Sequence, residues 1–176
     1  MIFVTVGTQL PFDRLIATVD GWAGTRTANP VFAQIGPTEH RPRHIEYAGF
    51  ISPAECRERM RAAKAVVAHA GMGTILGALE MGKPLLVMPR RAALGEHRND
   101  HQLATARRFA ELGSVSVAFD EDQLPAKLDA LDQLAARDRI GPYAPDAFIA
   151  ALRAFIDGRT VAPERQPTPR RPARAA

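Results

Sequence analysis

Gly71-Met72-Gly73-Thr74 lies between a β-branched apolar run and a helical pattern. At such a junction unpaired backbone N–H groups and the helix dipole favour a phosphate or another anion. The glycines would let the ligand approach the main chain, although a tight strand-to-helix turn asks for the same two residues. Gly7-Thr8-Gln9 after the first apolar run is a similar, shorter element. Two such turns facing each other suit a diphosphate better than a single phosphate. His69 stands directly before the glycine turn, where an imidazole serves either as a hydrogen-bonded core group or as a proton acceptor. His97 and His101 are four apart, beside Glu96 and Asp100, a spacing that one helical turn could bring together on a metal ion. The segment lacks the His-Glu-x-x-His order, and Gly95 and Asn99 delay the helix to about Asp100, so no metal is expected. Arg90, Arg91 and Arg98 read either as a solvated basic loop or as charge partners for an anionic ligand. Asp20, Asp120 and Asp122 fall at predicted helix ends and need only capping roles. No Ser-His-Asp or paired-carboxylate arrangement is supported by spacing.

The elements that must position these residues alternate short strands with helices, the pattern of a parallel sheet covered on both faces. Strands are expected at 2–6, 31–35, 44–50, 65–69, 84–88 and 114–118. Helices are expected at 12–22, from Ser52-Pro53-Ala54-Glu55 onward, at 71–81, at 100–112, after Asp120 and at 145–156, with Gly82 and Gly158 as stops. The fold class is therefore α/β, a single Rossmann-like domain with a mostly parallel sheet. Ligands of such sheets bind at the carboxyl ends of the strands, which gathers Gly7–Gln9, Phe50–Ser52, His69–Thr74 and Pro89–Gln102 along one edge. A dinucleotide fingerprint is absent: Leu76 stands where the third Gly or Ala belongs. Arg90-Arg91 could still imitate a reader of a ribose 2′-phosphate, which keeps an NADP enzyme as an alternative.

Composition narrows the classes further. The chain has 176 residues and a formal net charge of +4. From Arg159 onward there are five arginines and one acid, so residues 1–158 hold 18 basic and 18 acidic side chains. The basicity belongs to a Pro- and Arg-rich tail, 159–176, expected to be disordered and not a nucleic-acid footprint. No apolar run reaches the roughly 20 residues of a membrane-spanning helix. The single cysteine, Cys56, excludes an internal disulfide and paired Cys-x-x-Cys metal sites, and a reducing cytosol is expected.

Taken together, His69-Ala-Gly-Met-Gly-Thr74, Gly82-Lys-Pro-Leu-Leu-Val-Met-Pro89 and His97-x3-His101-Gln102-x3-Ala106 resemble the donor-binding half of glycosyltransferase family 28. The likeness extends to Phe3-Val-Thr-Val-Gly-Thr-Gln9 and covers nearly all of 1–158. It is greatest to the small stand-alone members, eukaryotic dolichol-linked enzymes and bacterial exopolysaccharide or capsule counterparts. The resemblance implies half of a GT-B fold and inverting transfer of a hexosyl group from a UDP-sugar to a polyprenyl-diphosphate-linked saccharide. A membrane-associated partner would supply the acceptor-binding half, and the length of the chain agrees with a single domain. The expected place is the inner face of the cytoplasmic membrane, with the basic tail against anionic lipid. By the same resemblance, Gly7, Thr8 and Gln9 face the diphosphate, and the backbone around Phe50 and Ile51 reads uracil. His69, Gly71, Met72, Gly73 and Thr74 lie along diphosphate and sugar, Arg90 adds charge, and His101 and Gln102 meet sugar hydroxyls. Relatives often carry a ribose-binding acid where this chain has Gly77, leaving Glu80 as the substitute. His69 or His97 is the expected base unless the partner supplies it, and no cofactor is implied. The alternative from another class is a non-catalytic nucleotide-sugar-binding activator of a separate transferase.

Overall fold

An apolar run with no polar face is stable as a strand only when both faces are covered. β1 (Ile2–Thr5), β4 (Ala65–His69) and β5 (Leu85–Met88) are such runs, buried almost end to end. β2 (Val31–Gln34), β3 (Glu46–Ala48) and β6 (Ser116–Val117) extend the sheet outward. The computed structural model describes residues 1–26, 30–134, 139–141 and 143–159. Among these the six strands are ordered β3-β2-β1-β4-β5-β6, and every neighbouring pair is parallel. This is the doubly wound Rossmann order, and its direction of winding reverses between β1 and β4.

Side chains alternate across the strands and divide the core. Ile2, Val4, Val67 and Leu86 pack with Leu15, Ile16 and Val19 of α1 (Asp13–Ala23) and with Leu124 and Leu128 of α5 (Leu124–Asp129). On the other face, Phe3, Val66, Ala68 and Val87 pack with Met60 of α2 (Pro53–Ala62), Ile75 of α3 (Met72–Glu80) and Ala106 of α4 (His101–Glu111). The predicted cap at Ser52 is made: its side chain accepts the Glu55 amide at 3.1 Å, and Pro53 is the first helical residue. Asp120 Oδ1 likewise accepts the Gln123 amide, at 3.0 Å. Asp20 departs from its expected capping role. It lies inside α1 and accepts the amides of Arg43 and His44, tethering the segment that precedes β3.

The sheet-bearing unit spans Met1–Ile140. The described residues from Gly141 to Arg159 belong to a second unit, in which Phe148, Leu152, Phe155 and Ile156 of α6 (Asp146–Ile156) are exposed. The tail expectation, apart from Arg159, lies outside the described residues. No described helix is long and apolar enough to cross a membrane.

Candidate functional site

At the reversal point, the carboxyl ends of β1 and β4 open onto a cavity of about 540 Å³. Gly7, Thr8, Gln9, Ile51, His69, Gly71, Gly73, Thr74, Arg90, His97, His101 and Gln102 all line it, as the sequence reading placed them. Three expected residues do not line it. Phe50 is 55% exposed beside the opening, and Met72 turns outward in the first turn of α3. Glu80 is the last residue of α3, eight residues from its start and therefore about 12 Å along the axis. The ribose role suggested for it has no geometric support, because α3 presents its amino end to the cavity. Thr5, Val6, Gln34, Pro53 and Cys56 line the cavity without having been singled out. Only the capping signal around Ser52 hinted at the last two.

The glycine turn leaves backbone donors open toward the cavity. Gly71 is the N-cap of α3 and no side chain caps it, so the first-turn amides keep their donors available. The Ala70 amide is the exception nearby, donating to Gln102 Oε1 at 3.1 Å. Across the cavity, Gly7 adopts φ +76 and its amide bonds Thr5 Oγ1. Thr5 Oγ1 in turn donates to Gln34 Oε1 at 2.8 Å, and Gln34 Nε2 donates to the Gly7 carbonyl at 3.3 Å. This buried network fixes where the loop leaves the sheet. The amides of Thr8 and Gln9, next along the loop, have no acceptor among the described residues.

His69 is wedged between the two turns. A Cβ on Gly7 would come within 2.7 Å of its Nε2, and one on Gly71 would overlap the ring edge. Both glycines are therefore required by close approach. Gln102 Oε1 accepts two backbone amides, from Ala70 and Arg90, which leaves Gln102 Nε2 to donate to His69 Nδ1. His69 Nε2–H then donates to Thr74 Oγ1 at 3.2 Å. The ring is thus held as the neutral Nε2–H tautomer with no free lone pair. Burial pushes its pKa down to about 4, aided by the nearby Arg90 charge and opposed by the Gln102 hydrogen bond. In this arrangement both ring nitrogens are engaged, so His69 presents no free lone pair to the cavity. Gln102 is chiefly a brace between the ends of β4 and β5, with one Nε2 hydrogen left for a ligand.

His97 differs. Its Nδ1 is buried without a hydrogen-bond partner, and its ring meets that of His101 edge-on at 4.3 Å. Burial, His101, Arg90 and Arg98 all lower its pKa, so it is neutral near pH 7. His101 Nδ1 is engaged by Asn99 Oδ1. No group of three or more metal-binding side chains occurs among the described residues.

Two further groups shape the wall. Burial raises the Cys56 thiol above its ordinary range. Arg14 of α1 forms a two-pronged pair with Glu96, both contacts at 2.8 Å, and Glu96 Oε2 also accepts the Arg91 amide. The loop after β5 is thereby tied to α1. Arg90, expected to present charge to a ligand, instead turns its guanidinium into the body, where backbone carbonyls take its Nη hydrogens.

A wholly parallel sheet of this order, with its cavity at the reversal point, defines a Rossmann-type domain like those of GT-B glycosyltransferases. A calicheamicin glycosyltransferase has the same fold at TM-score 0.55, 24% identical over 77% of this chain and 34% of that one. The solution structure of ALG13 aligns at TM-score 0.53, 21% identical, covering 86% of this chain and 94% of that one. Residues 1–140 match the glycosyltransferase family 28 C-terminal domain, and the chain belongs to that family. It is similar to the UDP-N-acetylglucosamine transferase subunit ALG13 of Eremothecium gossypii, 35% identical over 57% of this chain and 47% of the fungal protein. The human protein of the same name is 32% identical over 65% of this chain and 10% of its own length. The chain thus covers about half of the fungal relative and a tenth of the human one.

Proposed function

We propose that this chain is the catalytic, donor-binding subunit of an inverting glycosyltransferase that moves a hexosyl group from a UDP-sugar to a polyprenyl-diphosphate-linked saccharide. The observation that carries the reading is the pair of open amide sets, Thr8–Gln9 and the first turn of α3, on opposite sides of one cavity. Together they offer a diphosphate hydrogen-bond donors from two sides without a metal. Ile51, Pro53 and Cys56 give the cavity a less polar side suited to the flat face of a base. The similarity to a UDP-N-acetylglucosamine transferase subunit supports the donor class.

In this reading the amides and the α3 dipole stabilise the departing UDP, and His97 takes the proton of the attacking acceptor hydroxyl. His69 shapes the floor between the turns. A membrane-associated partner supplies the acceptor half, and the complex works at the cytoplasmic face of the membrane in exopolysaccharide or capsule assembly. Family membership sets aside the NADP alternative. Co-expression with the membrane partner tests the proposal: transfer from a UDP-sugar supports it, and a stable complex inactive with every UDP-sugar overturns it. Full activity retained in Gly73→Asp would instead support a nucleotide-sugar-binding activator of a separate transferase.

A further inference from the structure

Arg90 follows the carboxyl end of β5, and its side chain is 1% exposed. Nη1 donates to the carbonyls of Pro11 at 2.6 Å and Glu96 at 3.1 Å, and Nη2 donates to those of Val6 at 2.8 Å and Leu10 at 2.6 Å. The Phe12 ring centroid is 4.7 Å from the guanidinium carbon. No carboxylate accepts from it among the described residues. A buried arginine is ordinarily paired with an acid, because an isolated charge is costly to remove from water. Carbonyl oxygens take the four Nη hydrogens, and Nε–H has no acceptor among the described residues; the Glu96 carboxylate acts on the guanidinium through space, but it is already paired with Arg14, so positive charge remains at this position.

Two consequences follow from this geometry. The carbonyls of Val6, Leu10 and Pro11 bracket Gly7-Thr8-Gln9, so one side chain closes the loop from both ends while the Thr8 and Gln9 amides stay unpaired. A positive charge also remains within the cavity wall, its Nη groups turned to the loop carbonyls, where low polarity lets its field reach an anion beyond contact distance.

We infer that Arg90 is a positioning residue for the diphosphate of the donor: it holds the Gly7–Gln9 loop in its anion-receiving shape and biases the cavity toward anions from within its wall, without touching the ligand. The inference rests on the proposed UDP-sugar reading of the cavity, and its experiment separates the two.

The full chain is titrated by NMR with UDP and with uridine, as wild type, Arg90→Lys and Arg90→Met. Both variants should weaken UDP, Arg90→Met by about tenfold or more and Arg90→Lys by less, since lysine keeps the charge but cannot span four carbonyls. Uridine, which lacks phosphate, should change by less than about twofold. A role confined to stability would leave the UDP-to-uridine affinity ratio unchanged, and an unchanged ratio in the folded variants overturns the inference. Wild type that binds no UDP overturns the donor reading itself. Should neither variant fold, the wild-type spectrum decides. UDP should shift the Thr8 and Gln9 amides and leave the Arg90 Nε–H signal nearly unmoved, whereas a dominant shift at Arg90 means direct contact and overturns the inference.

Discussion

His69 and Gly71 fit together so closely that a Cβ on Gly71 would overlap Cε1 of the imidazole. Gly73, two residues further on, has no atom within 4 Å of where its Cβ would stand. The two glycines of the turn therefore serve different ends. Gly71→Ala should displace His69 and cost about 1–3 kcal/mol of stability. Gly73→Ala should leave the empty fold intact or stabilise it by up to about 1 kcal/mol, as alanine does in a helix. It should still weaken UDP, because the new methyl faces the cavity. Thermal unfolding and a UDP titration of both variants check this; equal melting behaviour would contradict it.

Acid should destabilise the fold through His69. Its folded pKa of about 4 lies below the ordinary 6.5, so the unfolded chain binds the proton first as pH falls. The stabilisation is complete above about pH 6.5 and is lost progressively toward about pH 4, roughly 3 kcal/mol in all. Asp20 extends the loss to lower pH. Burial pushes its pKa up, but the Arg43 and His44 amides outweigh that and hold it below 3.8. Denaturant unfolding from pH 7 to 4 should show the slope, and His69→Gln should flatten it. An equally steep slope in that variant contradicts the assignment.

His97→Asn, assembled with the membrane partner, should lower kcat by about a hundredfold or more, the range expected for a general base. UDP affinity should stay within about twofold of wild type. Steady-state kinetics with a saturating UDP-sugar make the measurement. Unchanged kcat would move the base to the partner.

Arg14→Ala should cost about 3 kcal/mol, because it leaves the buried Glu96 carboxylate without its two-pronged partner. A loss below about 1 kcal/mol in urea unfolding would show that the Arg91 amide alone suffices to hold it.

Deleting 159–176 removes five arginines and one acid. Binding to vesicles rich in anionic lipid should fall, and more so at low salt. Unchanged binding would assign the tail no role at the membrane.

Much of this architecture could be read from local pattern. The apolar runs of β1, β4 and β5, the Ser52-Pro53 helix start and the glycine turn are encoded by neighbours in sequence, and each appeared within a residue or two of its expected place. Short edge strands were less legible: 44–50 was expected and Glu46–Ala48 forms, because an edge strand is limited by what its neighbour can pair. Side-chain direction was hidden altogether. Arg90 looks like a ligand contact until the carbonyls of a loop some 80 residues earlier are seen to claim it. Arg14–Glu96 and Thr5–Gln34 join residues 82 and 29 apart, and no spacing rule connects them. His69 could be read as a base or a core group from sequence, and only the contacts of Gln102 and Thr74 show that both ring nitrogens are engaged.

In the proposed function, two sets of backbone amides hold the diphosphate of a UDP-sugar between them. An amide-resolved NMR titration of the full chain with UDP tests this most directly. Saturable shifts are expected, concentrated at Thr8, Gln9 and Gly71–Thr74 and abolished by Gly73→Asp. Saturation by NADP with no response to UDP, or UDP shifts confined to other surfaces, would contradict it.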